Sequence, residues 1–266
     1  MSSLTISVIQ SDIFWENKEA NLAMFEKKIW SINEPTEIVV LPEMFSTGFT
    51  QEPMALAETT EGPTINWMRS LAKKKNIVLT GSIIIKEKEQ YFNRLIWMLP
   101  NEKMGIYDKR HLFSYGGEHN HFSLGGKRFI ASVKGWKINL QICYDLRFPT
   151  WTRQQIKNKE PEYDILINVA NWPEKRSHHW KTLLQARAIE NLSYVVGVNR
   201  VGVDGNNILY NGDSAVVDPL GNYLYEKEKV EDIFTITLKK ENLQQLRDQY
   251  RFLDDADEFL LLENNS

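Results

Sequence analysis

Cysteine is almost absent from this sequence of 266 residues, which contains only Cys143. A single cysteine excludes an internal disulfide and any metal site built from several thiolates. A large charge excess is absent too, since the formal net charge is -3 at pH 7. We therefore expect neither a nucleic acid nor an anionic membrane as a partner, because both attract strongly basic proteins.

Long hydrophobic runs are also missing. No apolar stretch approaches the roughly 20 residues that a membrane-spanning helix needs. The first residues, MSSLTISVIQSD, do not combine a basic region with a following apolar stretch, so we expect no signal peptide. These features predict a cytoplasmic protein. Its cysteine would stay reduced there, as a thiol nucleophile requires.

The chain length suits one large domain, and we predict a single domain over residues 1–266. A domain of this size buries about 75% of its unfolded surface, which is enough for a core without disulfides. The C-terminal tail, residues 252–266, is apolar as well as acidic, which is unusual for a free terminus. We expect Phe259 to Leu262 to pack on another surface, and a partner subunit is one candidate.

Short apolar strands alternate with amphipathic helices, which is typical of an α/β protein. Strands are predicted at residues 4–10, 37–41, 77–85, 92–99, 136–142, 165–169, 194–198, 213–217 and 233–238. Helices are predicted at residues 17–32, 64–75, 177–191 and 241–251. VDGNN, residues 203–207, is typical of a hairpin turn. Strands near Tyr91 and after Val203 look antiparallel, so the sheets are predicted to be mixed.

Cys143 follows one of these predicted strands. The preceding residues, WKINLQI, alternate between apolar and polar side chains, as in a strand with one buried face. The residues after it are too polar to continue a core strand, and Pro149 suits the first position of a helix. Two interpretations remain open here. Cys143 is either a small buried hydrophobic residue or a nucleophile that needs a base or a positive charge nearby.

Two further stretches carry chemistry at the ends of apolar segments. Glu43 ends the strand in IVVLPEMFSTGF, where burial would raise its pKa toward the range of a general base. Lys109, in GIYDKRHLFSYGGEH, could supply positive charge to a developing oxyanion. Glu118 follows a Gly-Gly turn in the same stretch. Taken singly, each is as compatible with a solvated turn or surface residue.

Together these stretches resemble the nitrilase superfamily of carbon–nitrogen hydrolases. LPEMFSTGF, YDKRHLF and ICYDLRFP match its Glu, Lys and Cys motifs in order, and the resemblance covers nearly the whole chain. GEHNHF and NWPEKRSHHWKTLLQARAIENLSYVVGVNRVG resemble the ω-amidase branch, which acts on 2-oxoglutaramate and related amides of 2-oxo acids. The resemblance implies a four-layer α-β-β-α sandwich whose subunits form a homodimer.

The resemblance also implies roles for the site residues. Cys143 would attack the amide carbonyl, and Glu43 would accept the thiol proton and pass it to the leaving ammonia. Lys109 and the backbone N–H of Tyr144 would stabilise the oxyanion. Glu118 matches a supporting carboxylate. No metal or organic cofactor is implied.

A 2-oxo acid amide carries a carboxylate, which an arginine fork binds well. Arg176 is the first candidate. Arg147 is the second, with an ion pair to Asp145 as an equally good interpretation. Arg187 and Glu190, within one turn of a helix, are interpreted as a structural pair. The other candidates for the pocket wall could equally be core residues; they are Phe45, Phe113, Asn171 and Trp172.

Three other functions were weighed. A nitrilase-like amidase could act on another small amide or an N-carbamoyl compound. A Cys–His hydrolase would need one of the five histidines, but none lies in a protease-like context; they are His111, His119, His121, His178 and His179. A non-catalytic binding scaffold is disfavoured because Glu43, Lys109 and Cys143 are all present.

Overall fold

The structure is a computed structural model that describes residues 2–157 and 160–261. In chain order, its strands are β1 (Ser3–Gln10), β2 (Ile38–Val40), β3 (Val78–Glu87), β4 (Gln90–Met98), β5 (Met104–Asp108), β6 (Ile130–Val133), β7 (Trp136–Ile142), β8 (Ile156–Lys157), β9 (Glu160–Pro161), β10 (Ile165–Ala170), β11 (Tyr194–Asn199), β12 (Val201–Val203), β13 (Leu209–Val217), β14 (Tyr223–Glu228) and β15 (Asp232–Lys239). The α-helices are α1 (Lys18–Trp30), α2 (Pro53–Leu56), α3 (Pro63–Lys75), α4 (Pro149–Thr152), α5 (Ser177–Asn191) and α6 (Lys240–Tyr250).

Most strands belong to two mixed sheets. The first sheet has the order β15-β1-β2-β3-β4-β5, in which β1, β2 and β3 are parallel and the other pairs are antiparallel. The second has the order β12-β13-β11-β10-β7-β6, with β14 also paired to β13. Its central strands β7, β10 and β11 are parallel. The prediction of two mixed sheets in an α/β protein is therefore confirmed.

Helices cover the outer faces of both sheets. In β1, Leu4, Ile6 and Val8 join the buried cluster that also contains Leu140 of β7 in the second sheet. Ile9 points the other way, into a second cluster. That second cluster includes residues of α1 and α3, and α5 and α6 pack on the second sheet. The layers are thus helix, sheet, sheet and helix, as the resemblance implies.

The ends of two helices and one hairpin can be compared with the sequence predictions. α3 begins with Pro63, ends before Asn76 in the left-handed conformation, and carries three lysines in its last turn. Pro149 begins α4, as predicted. The predicted hairpin joins β12 to β13, but its loop has five residues rather than two, because Val203 pairs with Leu209.

The C-terminal tail, which comes after α6, contacts an earlier part of the same chain. The main-chain oxygen of Phe259 accepts a hydrogen bond from Gln155, 3.3 Å away. Leu260 is largely exposed. Leu262 lies outside the described residues, so packing on a partner subunit stays a prediction. Within the described residues, no helix is long and apolar enough to cross a membrane.

Candidate active site

Several chain segments of the two sheets end at one place. Cys143 follows β7 directly, Asn171 follows β10, Lys109 follows β5, and Glu43 comes three residues after β2. The carboxyl ends of parallel strands are a common position for ligand sites in α/β proteins. The topology therefore explains how residues far apart in sequence meet.

Cys143 sits on a sharp turn between β7 and a short 3-10 helix, Cys143–Arg147. Its φ of 45° lies in the left-handed region, which costs a non-glycine residue on the order of 1–3 kcal/mol. Asp145 supports this turn, because its Oδ2 accepts hydrogen bonds from Ile142 N at 3.1 Å and Tyr107 Oη at 2.7 Å. The surrounding contacts thus fix the position of the thiol.

Asp145 is also tied to the segment that carries Lys109. Its Oδ1 accepts from His111 N at 2.9 Å and lies 2.8 Å from His111 Nδ1. Trp151 donates to Tyr107 Oη at 3.0 Å. This buried network joins the cysteine turn to the loop after β5, so the spacing between thiol and lysine is set by the fold.

The thiol belongs to a buried group of polar side chains, which we call the catalytic floor: Glu43, Asn93, Lys109, Glu118 and Cys143. Lys109 Nζ is 2.8 Å from Glu43 Oε1 and 3.0 and 2.9 Å from the two carboxylate oxygens of Glu118. The side chains of all three are fully buried. One ammonium therefore faces two carboxylates.

Backbone and amide donors complete the floor. Asn171 N donates to Glu43 Oε2 at 2.7 Å, and Phe113 N donates to Glu118 Oε2 at 2.6 Å. Asn93 Nδ2 donates to Oε1 of both acids, at 2.8 Å for Glu43 and 3.2 Å for Glu118. Every carboxylate oxygen of the two acids thus accepts at least one hydrogen bond, which fixes their orientation.

Burial shifts the proton affinities of the floor. It raises the pKa of the Cys143 thiol well above its ordinary value; the Glu43 carboxylate raises it further, and Lys109 only partly opposes this. Burial also raises the pKa of Glu118, although Lys109 works against it. For Lys109, burial alone would lower the pKa, but the carboxylates of Glu118 and Glu43 outweigh it and raise the pKa. Lys109 is therefore a permanent cation, and Cys143 rests as a thiol that needs a base to react.

A cavity of about 580 Å³ opens above the floor. Lys109 and Cys143 lie in its wall, together with the two guanidinium groups of Arg147 and Arg176. Arg147 stacks over Trp172 at 4.7 Å, and Arg176 stacks over Phe113 at 5.2 Å. The volume suits a small molecule rather than a polymer.

The two arginines have no carboxylate partner among the described residues. Within the described residues, neither forms an ion pair with a carboxylate; Arg147 instead donates to His179 Nδ1 at 3.1 Å. Burial lowers the pKa of Arg147, and the neighbouring Arg176 lowers it further. Two cations close enough to repel each other form an environment suited to an anion.

The comparisons with known proteins agree with this geometry. A family model described as carbon-nitrogen hydrolase matches residues 5–248. The chain belongs to that family. It is thus a hydrolase that acts on carbon–nitrogen bonds other than peptide bonds.

Two relatives of this carbon–nitrogen hydrolase have named activities. The omega-amidase YafV of Yersinia enterocolitica is 40% identical over 265 residues, which cover 98% of this chain and 100% of that protein. The 2-oxoglutaramate amidase of Bacillus subtilis is 31% identical over 255 residues, covering 94% and 96%. A solved structure, XC1258 of Xanthomonas campestris, is 40% identical with a TM-score of 0.96, covering 98% of this chain and 100% of that one. It is described as a CN-hydrolase superfamily protein with an arsenic adduct in the active site.

One residue that was predicted to line the pocket of this hydrolase lies elsewhere. Phe45 is fully buried and packs edge-on against Phe25 and beside Trp67, in the cluster under α1 and α3. It does not line the cavity. The positive φ of Met44 turns the chain after Glu43, and Phe45 N then bonds to Ser82 O. The expectation that Phe45 forms the pocket wall was wrong.

Three other candidates do line the cavity: Phe113, Asn171 and Trp172. The alternative of an Arg147–Asp145 ion pair was wrong, because Asp145 binds Tyr107, His111 and Ile142 instead. Arg187 and Glu190 form the predicted structural pair, at 3.0 Å.

None of the five histidines lines the cavity. His111 is paired with Asp145, and His179 with Arg147. His119 and His121 are exposed, and the described part of the chain holds no group of three or more potential metal ligands. A Cys–His pairing is thus not formed in this hydrolase.

Sequence reasoning missed three features of the site. Asn93 lies inside β4 and gives no strand-end signal. Phe49 packs its ring 5.2 Å from Lys109 Nζ. The hairpin closes one side of the cavity through Asp204 in its loop and Tyr210 at the start of β13. VDGNN was predicted as a hairpin turn, but its place in the cavity wall was not predicted.

Proposed function

We propose that this hydrolase releases ammonia from the ω-amide of a small 2-oxo acid, such as 2-oxoglutaramate or 2-oxosuccinamate. The observation that carries the proposal is that Arg147 and Arg176, which have no carboxylate partner among the described residues, lie in the same cavity as the thiol. A substrate with an amide at one end and a carboxylate at the other matches both. The named activities of the relatives in Yersinia and Bacillus support the same substrate class.

The first chemical step forms a bond between Cys143 Sγ and the amide carbon. Because the resting thiol is protonated, Glu43 accepts its proton as the bond forms. The carbonyl oxygen becomes an oxyanion, which the Lys109 ammonium and the N–H of Tyr144 stabilise. Tyr144 is the second residue of its 3-10 helix, so its N–H has no acceptor within that helix.

The second step breaks the carbon–nitrogen bond. Glu43 returns the proton to the nitrogen, ammonia leaves, and the acyl group stays on Cys143 as a thioester. Water then gives a proton to Glu43 and attacks the thioester carbon. The carbon–sulfur bond breaks, the thiol regains its proton, and the free dicarboxylic 2-oxo acid leaves.

Lys109 and Glu118 act without changing their own protonation state. Lys109 supplies positive charge to the oxyanion, and the two carboxylates that hold it keep it charged at any working pH. Glu118 holds the ammonium through both of its carboxylate oxygens, at 3.0 and 2.9 Å. Its own position depends on Phe113 N, so the loop after β5 holds both charged groups in place.

Arg147 and Arg176 would bind the carboxylate at the far end of the substrate. A guanidinium offers parallel N–H donors that match a carboxylate, and a second cation can reach the neighbouring 2-oxo oxygen. The rings of Trp172 and Phe113 hold the guanidinium planes in place. This arrangement selects a short anionic amide over a neutral one.

An ammonia-release screen tests the proposal. Purified protein is assayed with 2-oxoglutaramate, 2-oxosuccinamate, glutamine, an N-carbamoyl amino acid and a neutral amide of similar length. We expect the highest kcat/KM with the two 2-oxo acid amides. Faster turnover of the N-carbamoyl compound or of the neutral amide would refute the proposed substrate class while leaving the family assignment intact.

A further inference from the structure

Asn93 occupies the centre of the catalytic floor and has no role in the mechanism above. We propose that Asn93 is a positioning residue that bridges Glu43 and Glu118, stabilises both as carboxylates, and so determines how far into acid pH Glu43 can act as the base. This inference deepens the proposed function and rests on it for the role of Glu43.

The contacts of Asn93 form a bridge between the two acids. A side-chain amide nitrogen carries two hydrogens, and Nδ2 of Asn93 donates one to Glu43 Oε1 at 2.8 Å and one to Glu118 Oε1 at 3.2 Å. The same two oxygens also receive Lys109 Nζ. Two negative charges thus share one cation, Lys109, and Asn93 stabilises them further with neutral N–H donors.

The backbone makes the bridge rigid. Asn93 is 0% exposed and pairs with Ile84 inside the first sheet. Its own carbonyl oxygen accepts from Lys109 N at 3.0 Å. One residue therefore fixes the main chain of the lysine and the side chains of both acids. A residue on a central strand can hold these distances better than one on a loop.

Charge explains why the bridge affects proton affinity. The groups around Glu43 are Lys109, Glu118, Cys143 and, from the hairpin side, Tyr210. Hydrogen bonds to a carboxylate favour its ionised form, whereas a nearby like charge favours protonation. Removing Asn93 would leave Glu118 facing Glu43 with fewer donors between them. The carboxylate form of Glu43, which the reaction needs to deprotonate the thiol, would then be less well stabilised.

The test compares Asn93→Leu and Asn93→Ser with the unmodified protein. Leu keeps the approximate volume without donors, and Ser keeps one donor with shorter reach. Asn168→Leu is the control, because Asn168 is another fully buried strand amide but makes no side-chain hydrogen bond within the described residues. Two readouts are measured against pH: kcat/KM for 2-oxoglutaramate, and the rate at which iodoacetamide alkylates Cys143.

Each rate should fall at low pH, and we call that part of the profile the acid limb. In Asn93→Leu we expect the acid limb of both profiles to move to higher pH by about one unit, with about a tenfold loss of rate in that pH range. The acid limb should move less in Asn93→Ser. This variant still tests the inference if Asn93→Leu does not fold. Asn168→Leu should leave the limb in place, because the replaced amide makes no side-chain hydrogen bond within the described residues. A uniform loss of rate with an unmoved limb in folded Asn93 variants would overturn the inference, since a purely structural role predicts that result.

The two readouts separate this inference from the proposed function. If the unmodified protein fails to hydrolyse 2-oxoglutaramate, the substrate proposal fails. The alkylation profile would still report whether Asn93 controls the base next to Cys143. If hydrolysis is fast and the acid limb of both profiles stays in place in the Asn93 variants, the substrate proposal stands and the positioning role does not.

Discussion

The catalytic floor and the mouth of the cavity differ in how their charges are balanced. In the floor, the ammonium of Lys109 lies between Glu43 and Glu118, and all three side chains are fully buried. At the mouth, the guanidinium groups of Arg147 and Arg176 are partly exposed and rest on aromatic rings. In the floor every charge has an oppositely charged partner, whereas within the described residues the two guanidinium groups at the mouth have no carboxylate partner.

This difference predicts how the two regions respond to mutation. A preorganised set of charges acts mainly on the transition state, so changes in the floor should lower kcat for every amide. Unpaired cations act on the charged end of a substrate, so changes at the mouth should raise KM for anionic amides alone. The predictions below test that division, starting with the largest expected effect.

Replacement of the nucleophile should have the largest effect. Cys143→Ala should reduce turnover of any amide at least about 1000-fold, because no covalent intermediate can form. Cys143→Ser should retain the fold yet lose nearly all turnover, since burial beside Glu43 already disfavours an anion at this position. Intact-protein mass spectrometry should detect an acyl adduct in the unmodified protein. An adduct on the Ala variant would show that another residue is the nucleophile.

Removal of the base should have the next largest effect. Glu43→Gln preserves shape and the bond from Lys109 but cannot accept the thiol proton, so kcat should fall by roughly 100- to 10000-fold. Each histidine-to-asparagine variant should keep most of its activity, because no histidine lines the cavity. Steady-state rates are compared after circular dichroism confirms the fold. One histidine variant as inactive as Glu43→Gln would favour a Cys–His mechanism.

Changes at the mouth should be smaller and selective. Arg176→Ala should raise KM for 2-oxoglutaramate about tenfold or more, because a charge-assisted hydrogen bond contributes on the order of 1.5–3 kcal/mol. Arg176→Lys should recover little, since an ammonium cannot form the same parallel bonds. A neutral amide of similar length serves as the matched substrate, and its KM should change far less. Equal losses on both substrates would assign Arg176 to the fold and leave Arg147 as the carboxylate site.

The floor was easier to predict from sequence than the elements around it. Glu43 and Cys143 stand where an apolar run meets polar residues, and that transition is visible in the sequence. Lys109 was found through the resemblance of YDKRHLF to the family motif. Asn93 gave no such signal, because its partners come from distant segments and a single polar residue within a strand is common.

The missed strands also have a physical explanation. β5 and β6 are edge strands with partly exposed residues, so their alternation of apolar and polar side chains is weak. β12 and β14 are similar. The central strands, which are buried on both faces, were all predicted.

Phe45 offers the test with the smallest expected effect on catalysis. The sequence left Phe45 as a candidate for either the pocket wall or the core, and the turn at Met44 directs it into the core beside Phe25 and Trp67. Phe45→Leu should therefore lower the free energy of unfolding by about 1–2 kcal/mol and leave KM for 2-oxoglutaramate within about twofold. Phe113→Leu, which removes the ring under Arg176, should do the reverse, with a raised KM and a smaller change in Tm. Thermal unfolding and steady-state kinetics on the two variants measure both effects. A KM that rises as much in Phe45→Leu as in Phe113→Leu would mean that the core behind the floor also shapes the substrate site, and the division between floor and mouth would fail.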